Sequence, residues 1–292
     1  MTIIDLNNKQ EYQGKRICLG NFDGFHVGHQ ALAKSADVLV TFDPHPKEVL
    51  TQKTIHRLTT PDELKTYVPN VLLIEFTPTI QRMTADIFLN DVIAQLSPSS
   101  ITVGYDFRFG VNGQGNIDSL HEWGRNNHCQ IIQIEKQQLT PEIAYKSSRI
   151  REQLSINPNH AIQLLGHPYL MMGTVVSGDK RGREIGFPTA NLNVSANKCI
   201  PKFGVYRSHV LINSKQYPSI SYIGRKPSFN GQHPSIETHI LGGYSADIYG
   251  QTIQLHLETF IRDEQRFESQ TELIKQINTD IAVCYSPSVL EA

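Results

Sequence analysis

The hydrophobic pattern of this chain changes near residue 155. Before it, short apolar runs rich in β-branched residues alternate with segments whose apolar residues recur at helical spacing, most clearly at 84–96. This alternation predicts a mostly parallel sheet with helices on both faces. In such sheets, ligands gather at the carboxyl ends of the strands. The predicted strands of this half are 15–21, 38–42, 71–76, 100–105 and 130–136.

From 168 to 262 the pattern consists of strands and turns, with no apolar stripe of helix length. Such a succession predicts an antiparallel barrel or sandwich. A final helix is predicted from 270 to about 285, because Ser269 and Glu272 form a capping box ahead of an apolar stripe. Residues 156–167 are predicted to be a linker or a short helix. The predicted strands of this half are 171–176, 204–213, 218–223, 236–241 and 251–261.

The 292 residues suit two domains, and the change of pattern divides them into 1–155, a linker at 156–167, and 168–292. The net charge of −1, without a long basic run, argues against a general nucleic-acid binder. The N-terminus has no apolar core suited to a signal peptide, and no run of about 18 apolar residues exists, so we expect no membrane span. Four cysteines without paired spacing predict free thiols in a reducing cytoplasm.

A glycine-rich stretch at 173–191 carries the strongest chemical signal, and it ends in Pro-Thr-Ala-Asn. Glycine permits close approach of a ligand to the backbone, and converging N–H groups bind anions. Thr189 and Asn191 place neutral oxygens beside that loop, which suits a hard cation such as Mg²⁺. A glycine-rich hairpin is the alternative, but a hairpin turn needs only one or two glycines. The predicted phosphate site includes Gly173, Gly178, Lys180, Gly182 and Gly186.

A second glycine turn, at 19–29, follows one predicted strand and precedes a short helix. A helix N-terminus and its backbone N–H groups favour an anion there, and His26 and His29 lie three residues apart across the turn. A structural histidine pair or a metal site are the alternatives, although a zinc site would need further Cys or His ligands nearby. The predicted phosphate contacts are Gly20, Asn21, Phe22, Asp23, Gly24 and Gly28.

The stretch at 173–191 resembles the flavokinase signature, and His-Val-Gly-His at 26–29 is similar to the phosphate-binding motif of nucleotidylyltransferases. Thr-Phe-Asp-Pro-His-Pro at 41–46, Val-Gly-Tyr-Asp-Phe-Arg-Phe-Gly at 103–110 and Ser-Ser-Arg-Ile-Arg at 147–151 fit the same assignment. From about residue 16 to 285, the chain resembles the bifunctional bacterial riboflavin kinase/FMN adenylyltransferase (FAD synthetase) family. The resemblance implies an α/β nucleotidylyltransferase-like domain with a Rossmann-type parallel sheet. An antiparallel β-barrel riboflavin kinase domain with a C-terminal helix would follow it.

In the second half, the resemblance assigns the kinase chemistry. Glu237 lies on a predicted strand where apolar and polar residues alternate, and it matches the proposed base of the family. A solvated strand carboxylate is the alternative interpretation of Glu237. Thr189 would ligate Mg²⁺, and Asn191 would position the ion or the attacking hydroxyl.

In the first half, the adenylyl step needs charge neutralisation and positioning rather than a base, because the second pKa of a phosphate monoester is about 6. His26, His29 and Arg149 match the family positions that contact the phosphates, and Arg151 is the alternative to Arg149. The other contacts that we expect are Ser147 and Ser148 for phosphate, and Asp43, Asp106, Phe107, Phe187, Pro188 and Arg262 for the flavin or nucleotide pocket.

The chain departs from the family pattern in its first half. The segment between His29 and Val38 is shorter than usual, and Lys146 stands where serine is usual. The leading hypothesis is FAD biosynthesis, in which ATP phosphorylates riboflavin to FMN and then adenylylates FMN to FAD. The alternatives are a riboflavin kinase whose first half has lost its chemistry, and a non-catalytic flavin-binding regulator.

The implied cofactor is Mg²⁺, with ATP as co-substrate and FMN and FAD as products. We expect a cytoplasmic enzyme whose partners are these small molecules, without nucleic acid or membrane. The sequence leaves the oligomeric state open, a monomer included. Arg262 could instead belong to an exposed ion-pair network, since it lies in an Arg-Asp-Glu run.

Overall fold

The computed structural model describes residues 11–225, 234–244 and 246–285. The chain forms two compact units that divide between Lys146 and Ser147. The boundary predicted at 155 falls near the end of a helix, Ser147–Ile156, that packs on the following helix. Each unit has its own hydrophobic core.

The first unit contains the predicted parallel sheet, and each strand ends within two residues of its predicted bounds. Its strands are β1 (Arg16–Leu19), β2 (Val38–Asp43), β3 (Val71–Glu75), β4 (Ser100–Gly104) and β5 (Gln130–Ile134). Their order is β3-β2-β1-β4-β5, and all four pairings are parallel. The central strand β1 is apolar because it is covered on both faces, and Ile17, Cys18 and Leu19 are buried.

The helices of this unit are short. They are α1 (Val27–Ala33), α2 (Pro46–Thr51), α3 (Pro61–Tyr67), α4 (Pro78–Arg82), α5 (Ala85–Ile87) and α6 (Ile117–Asn126), with a small hairpin of β6 (Gln138–Thr140) and β7 (Ile143–Ala144). The helix predicted at 84–96 begins at Thr84, which caps α5, and continues through a π-helical turn at 88–93 and a 3₁₀ turn at 94–96. Its apolar face is buried in the core under the sheet, as the spacing predicted.

Three helices were not predicted because each is too short to show an apolar stripe. α2, α3 and α4 each start with proline directly after a capping residue: His45, Thr60 and Thr77 accept from backbone N–H groups of the first turn. Proline suits the first helical position because its missing N–H would have no intrahelical partner there. These caps were the local signal that the periodicity did not reveal.

The second unit begins with two helices, α7 (Ser147–Ile156) and α8 (Pro158–Leu165), and continues as a closed antiparallel barrel. Its strands are β8 (Tyr169–Val176), β9 (Ala190–Val194), β10 (Gly204–Ile212), β11 (Lys215–Arg225), β12 (Pro234–Ile240) and β13 (Thr252–Arg262), in the order β10-β11-β12-β9-β8-β13. The structure therefore selects the barrel over the sandwich. β9 and the short α9 (Arg181–Glu184) were not predicted, because both lie inside the glycine-rich motif.

The predicted final helix is present as α10 (Gln270–Val283). Ser269 caps it by accepting from the Glu272 N–H at 3.2 Å, while the Glu272 carboxylate accepts from the Glu268 N–H instead of closing the predicted box. Its end packs on the outside of the barrel, where Cys284 is buried against Ile220 and Leu241. Among the described helices, none is long and apolar enough to cross a bilayer.

Candidate active sites

The two histidines of the first unit lie face to face at the start of α1. Their ring centroids are 3.7 Å apart, with an angle of 16° between the ring planes. His26 is buried and caps the helix, because its Nδ1 accepts from the His29 N–H at 3.4 Å. A Cβ on Gly28 would lie 3.2 Å from the His26 ring, so glycine leaves room for this arrangement. The structure thus brings together the pair that the sequence motif predicted.

His29 is held in its neutral form. Burial lowers its pKa well below the ordinary value of 6.5, and the neighbouring His26 lowers it further. Its Nδ1 is buried without a hydrogen-bond partner in the described part of the chain, and Phe22 packs edge-on against its ring at 5.5 Å. A neutral imidazole can donate one hydrogen bond to a phosphate oxygen but carries no positive charge. Charge neutralisation at this site therefore requires other groups.

Asp23, predicted to contact phosphate, is engaged by the backbone. Its buried carboxylate accepts from the N–H groups of Leu58 and Thr59, at 2.7 and 3.1 Å. These bonds join the glycine turn to the segment just before α3, so Asp23 supports the shape of the turn. The predicted backbone contacts share this turn, which uses left-handed φ angles at Phe22 (46°) and Gly24 (91°). The remaining predicted contacts of the turn are Gly20 and Asn21.

The loops that follow β1, β2 and β4 meet at one edge of the sheet, because these strands are parallel neighbours. Asp43 ends β2, and its half-exposed carboxylate pairs with buried Arg57 at 2.6 Å. Asp106 is exposed in the turn after β4, which the Phe107 N–H closes on the Gly104 carbonyl at 3.1 Å. The predicted pocket residues of this unit therefore share an edge with the histidine pair.

Arg57 was missed by the sequence reasoning. Its side chain is 6% exposed, and its Nε has no hydrogen-bond partner among the described residues. It directly precedes Leu58, whose N–H binds Asp23, so one short segment supports both loops. The available signal was a single arginine ahead of the Thr-Thr-Pro start of α3, which does not by itself indicate burial.

The predicted phosphate contacts at the end of the first half belong to the second unit. Ser147, Ser148 and Arg149 form the first turn of α7, whose apolar side chains Ile150 and Leu154 are buried. Arg149 is half-buried and Ser148 is exposed. Their assignment to adenylyl transfer stays a prediction.

In the barrel, four polar side chains converge where β9 pairs with β12. The register places Asn191 opposite Glu237. One carboxylate oxygen of Glu237 accepts from Thr189 Oγ1 at 3.3 Å, and the other accepts from Ser235 Oγ at 2.9 Å. The alternation predicted for β12 is present, because Ile236 lies on the buried face while Glu237 is only half-buried. Residues 46 to 48 positions apart in the chain thus form one oxygen-rich cluster.

The glycine loop lies against this cluster. A Cβ on Gly178 would overlap the Asn191 amide, and a Cβ on Gly182 would overlap the Phe187 carbonyl oxygen. These two glycines therefore allow the loop to approach β9 closely. Gly173, in contrast, is buried within β8 and pairs with Val194, so it belongs to the barrel wall. The other predicted loop positions are Lys180, with φ of 60°, and Gly186, with φ of 90°; both are exposed.

Phe187 and Pro188 are held by His239. The His239 Nδ1 lies 2.7 Å from the Pro188 carbonyl oxygen, and the two rings of Phe187 and His239 meet edge to face at 5.6 Å. His239 shares the strand face of Glu237, as predicted, and it has a structural contact. The exposed position of Pro188 leaves this loop open to a ligand.

The oxygen donors in the barrel suit a hard cation. Within the described ranges, no group of three or more His, Cys, Asp or Glu side chains is arranged to hold a metal ion. The Thr189 hydroxyl donates its proton to Glu237 and keeps its lone pairs, and the Asn191 amide supplies a carbonyl oxygen. Two neutral oxygens fit an Mg²⁺ ion that is already bound to nucleotide phosphates.

Arg262, predicted to line the flavin or nucleotide pocket, binds Asp280 of α10. Its Nε lies 3.0 Å from both carboxylate oxygens, and its Nη2 lies 2.8 Å from one of them. Asp280 is buried, so the pair ties β13 to α10. The alternative of an exposed network within the Arg-Asp-Glu run is wrong about the partner, which comes from another element.

Comparisons with known proteins match both units. The family model of FAD synthetase matches residues 8–148, and the family model of riboflavin kinase matches residues 165–286. Two relatives are named bifunctional riboflavin kinase/FMN adenylyltransferase. The one from Listeria monocytogenes is 32% identical and the one from Escherichia coli K12 is 34% identical. The alignments cover 91% and 92% of this chain, and 90% and 91% of the relatives.

A solved structure supports the same fold over both units. It is described as a macrolide-efflux protein from Streptococcus pneumoniae, with a TM-score of 0.80 and 29% identity. The match covers 94% of this chain and 95% of that one. The chain is a transferase with riboflavin kinase and FMN adenylyltransferase activities. It belongs to the family of bifunctional riboflavin kinase/FMN adenylyltransferases.

Proposed function

We propose that the two transfers of FAD synthesis occur at separate sites, one in each unit. The observation that carries the proposal is that each unit holds its own cluster of suitable groups. The barrel holds Glu237 beside the oxygens of Thr189 and Asn191. The sheet unit holds the stacked pair His26 and His29 at the carboxyl edge of its strands.

In the barrel, Glu237 is proposed to accept the proton of the terminal ribityl hydroxyl as that oxygen attacks the γ-phosphorus of ATP. The bond to the β-phosphate oxygen breaks, and FMN and ADP are the products. A carboxylate suits this role because the hydroxyl is neutral and must lose its proton. Thr189 and Asn191 would hold the Mg²⁺ ion, which supplies charge neutralisation to the terminal phosphates when it is bound. Each Glu237 oxygen accepts one bond in the structure and has a second lone pair for the substrate.

In the sheet unit, a phosphate oxygen of FMN is proposed to attack the α-phosphorus of ATP, with pyrophosphate as the leaving group. This nucleophile needs no base, because a phosphate monoester is largely ionised at neutral pH. Neutral His29 would donate a hydrogen bond to the transferring phosphate, while His26 holds its position as the helix cap. Arg149 would supply positive charge, which the neutral imidazole of His29 does not.

We also propose a reducing cytoplasm as the location. The four cysteines, Cys18, Cys129, Cys199 and Cys284, are all buried free thiols. Burial raises the pKa of Cys129 and Cys284 to about 11, so these thiols are protonated and unreactive at neutral pH. Such thiols are typical of proteins that keep their cysteines reduced.

A product assay tests the proposed function. Purified protein would be incubated with ATP and Mg²⁺, once with riboflavin and once with FMN, and the flavins would be separated by chromatography. We expect FAD from both incubations. FMN from the first and no FAD from the second would favour the alternative of a kinase with an inactive first unit. Unchanged riboflavin would contradict the proposal for the barrel.

A further inference from the structure

The carboxylate of Glu237 is held from two sides by neutral hydroxyls. Thr189 donates to Oε2 and Ser235 donates to Oε1, and neither lysine nor arginine pairs with this carboxylate in the described part of the chain. Neutral donors orient a carboxylate without placing a positive charge beside it. This arrangement suits a group that must accept a proton.

Strand geometry explains why Ser235 reaches Glu237. Side chains two positions apart in a strand point to the same face, and Ser235 precedes Glu237 by two residues on β12. Ser235 is only 3% exposed, so bulk water does not compete for its hydroxyl. On the neighbouring β11, Gly224 faces Ser235 and offers no side chain, while Tyr222 faces Glu237 but donates its hydroxyl to Glu264. Ser235 is therefore the donor to Glu237 on this side.

We propose that Ser235 is a positioning residue for riboflavin phosphorylation, an inference that rests on the proposed role of Glu237. A single hydrogen bond would leave the carboxylate free to rotate about its last side-chain bond, because such torsions have broad minima. Bonds on both oxygens fix its plane and direct the remaining lone pairs to one place. Misplacement of a reacting group by a fraction of an ångström lowers the rate without weakening substrate binding.

The test compares serine variants in the full-length protein. Ser235→Ala should lower the kcat of riboflavin phosphorylation about 10-fold, the loss expected for one hydrogen bond to a charged group. The KM values and the rate of FAD formation from supplied FMN should not change. Ser235→Thr restores a hydroxyl and should recover most of the kcat. Ser219→Ala is the matched control, because Ser219 is equally buried on β11 and bonds Ser208 at 2.8 Å instead of Glu237.

A double-mutant cycle separates positioning from a general structural role. If Ser235 acts through Glu237, Ser235→Ala should cause no further loss of kcat in a Glu237→Ala background. A further loss of similar size, or an equal loss in Ser219→Ala, would overturn the inference. If Glu237→Ala lowers the kcat and Ser235→Ala does not, the inference alone fails. If Glu237→Ala keeps full activity, the proposed role of Glu237 fails with it.

Discussion

His256 should make the barrel sensitive to mild acid. It lies on β13, with its ring stacked on that of His209 at 4.5 Å and an angle of 8°. Burial lowers its pKa from 6.5 to about 3, His209 and His167 lower it further, and Glu258 partly opposes them. Below pH 6.5 the unfolded chain therefore binds a proton that the folded barrel excludes. The free energy of unfolding must fall as the pH decreases from 6.5 towards 3.

The size of the effect follows from the two pKa values. A group with a pKa of 6.5 in the unfolded chain and about 3 in the barrel costs about 2 kcal/mol of stability between pH 7 and pH 5. Nearby Glu258 titrates in another range. Burial raises its pKa, but its bonds to His209 and Arg207 lower it to a net value under 4.5. The stability that Glu258 contributes is present above that range, so the interval from pH 5 to 7 isolates His256.

Urea unfolding at pH 7 and pH 5 measures the effect. Trp123 is the only tryptophan and lies in the first unit, so its fluorescence follows that unit, while far-ultraviolet circular dichroism also reports the barrel. The barrel of wild-type protein should lose about 2 kcal/mol more than that of His256→Gln between the two pH values. His121→Gln, at an exposed helical position, is the control and should resemble wild type. Equal losses in wild type and His256→Gln would refute the reasoning.

Three further substitutions have distinct expected outcomes. Gly178→Ala should displace the Asn191 amide and lower riboflavin phosphorylation at least about 10-fold, while FAD formation from FMN stays unchanged in the same assay. Gly28→Ala should shift the His26 ring by a few tenths of an ångström and lower only FAD formation from FMN. Asp280→Ala should destabilise the barrel by about 3–5 kcal/mol in urea unfolding, because it leaves a guanidinium largely buried without its partner. Wild-type behaviour in any of the three would contradict the corresponding contact.

Much of the fold could be predicted because each half repeats one pattern. Alternating apolar runs and helical segments predicted the parallel sheet, and the succession of strands and turns predicted the barrel. β9 was missed because its five residues include Asn191 and Asn193 and lie within a motif that suggested a loop. Local polarity is uninformative there, since pairing with β8 and β12 forms the strand.

The site was predicted less completely, because burial and long-range pairing decide it. The motifs identified Glu237 and Thr189, but their contact depends on the pairing of β9 with β12. No local pattern could show that Asp280, on an amphipathic helix, is buried against Arg262. The neutral state of His29 likewise follows from burial, which the motif alone does not reveal.

The most direct test of two separate sites is a pair of reciprocal variants assayed with both substrates. Glu237→Ala should stop FMN formation from riboflavin and leave FAD formation from supplied FMN unchanged. His29→Ala should lower FAD formation about 100-fold, for the loss of one transition-state contact, while FMN formation continues. If either substitution removed both activities from folded protein, the account of one site in each unit would be contradicted.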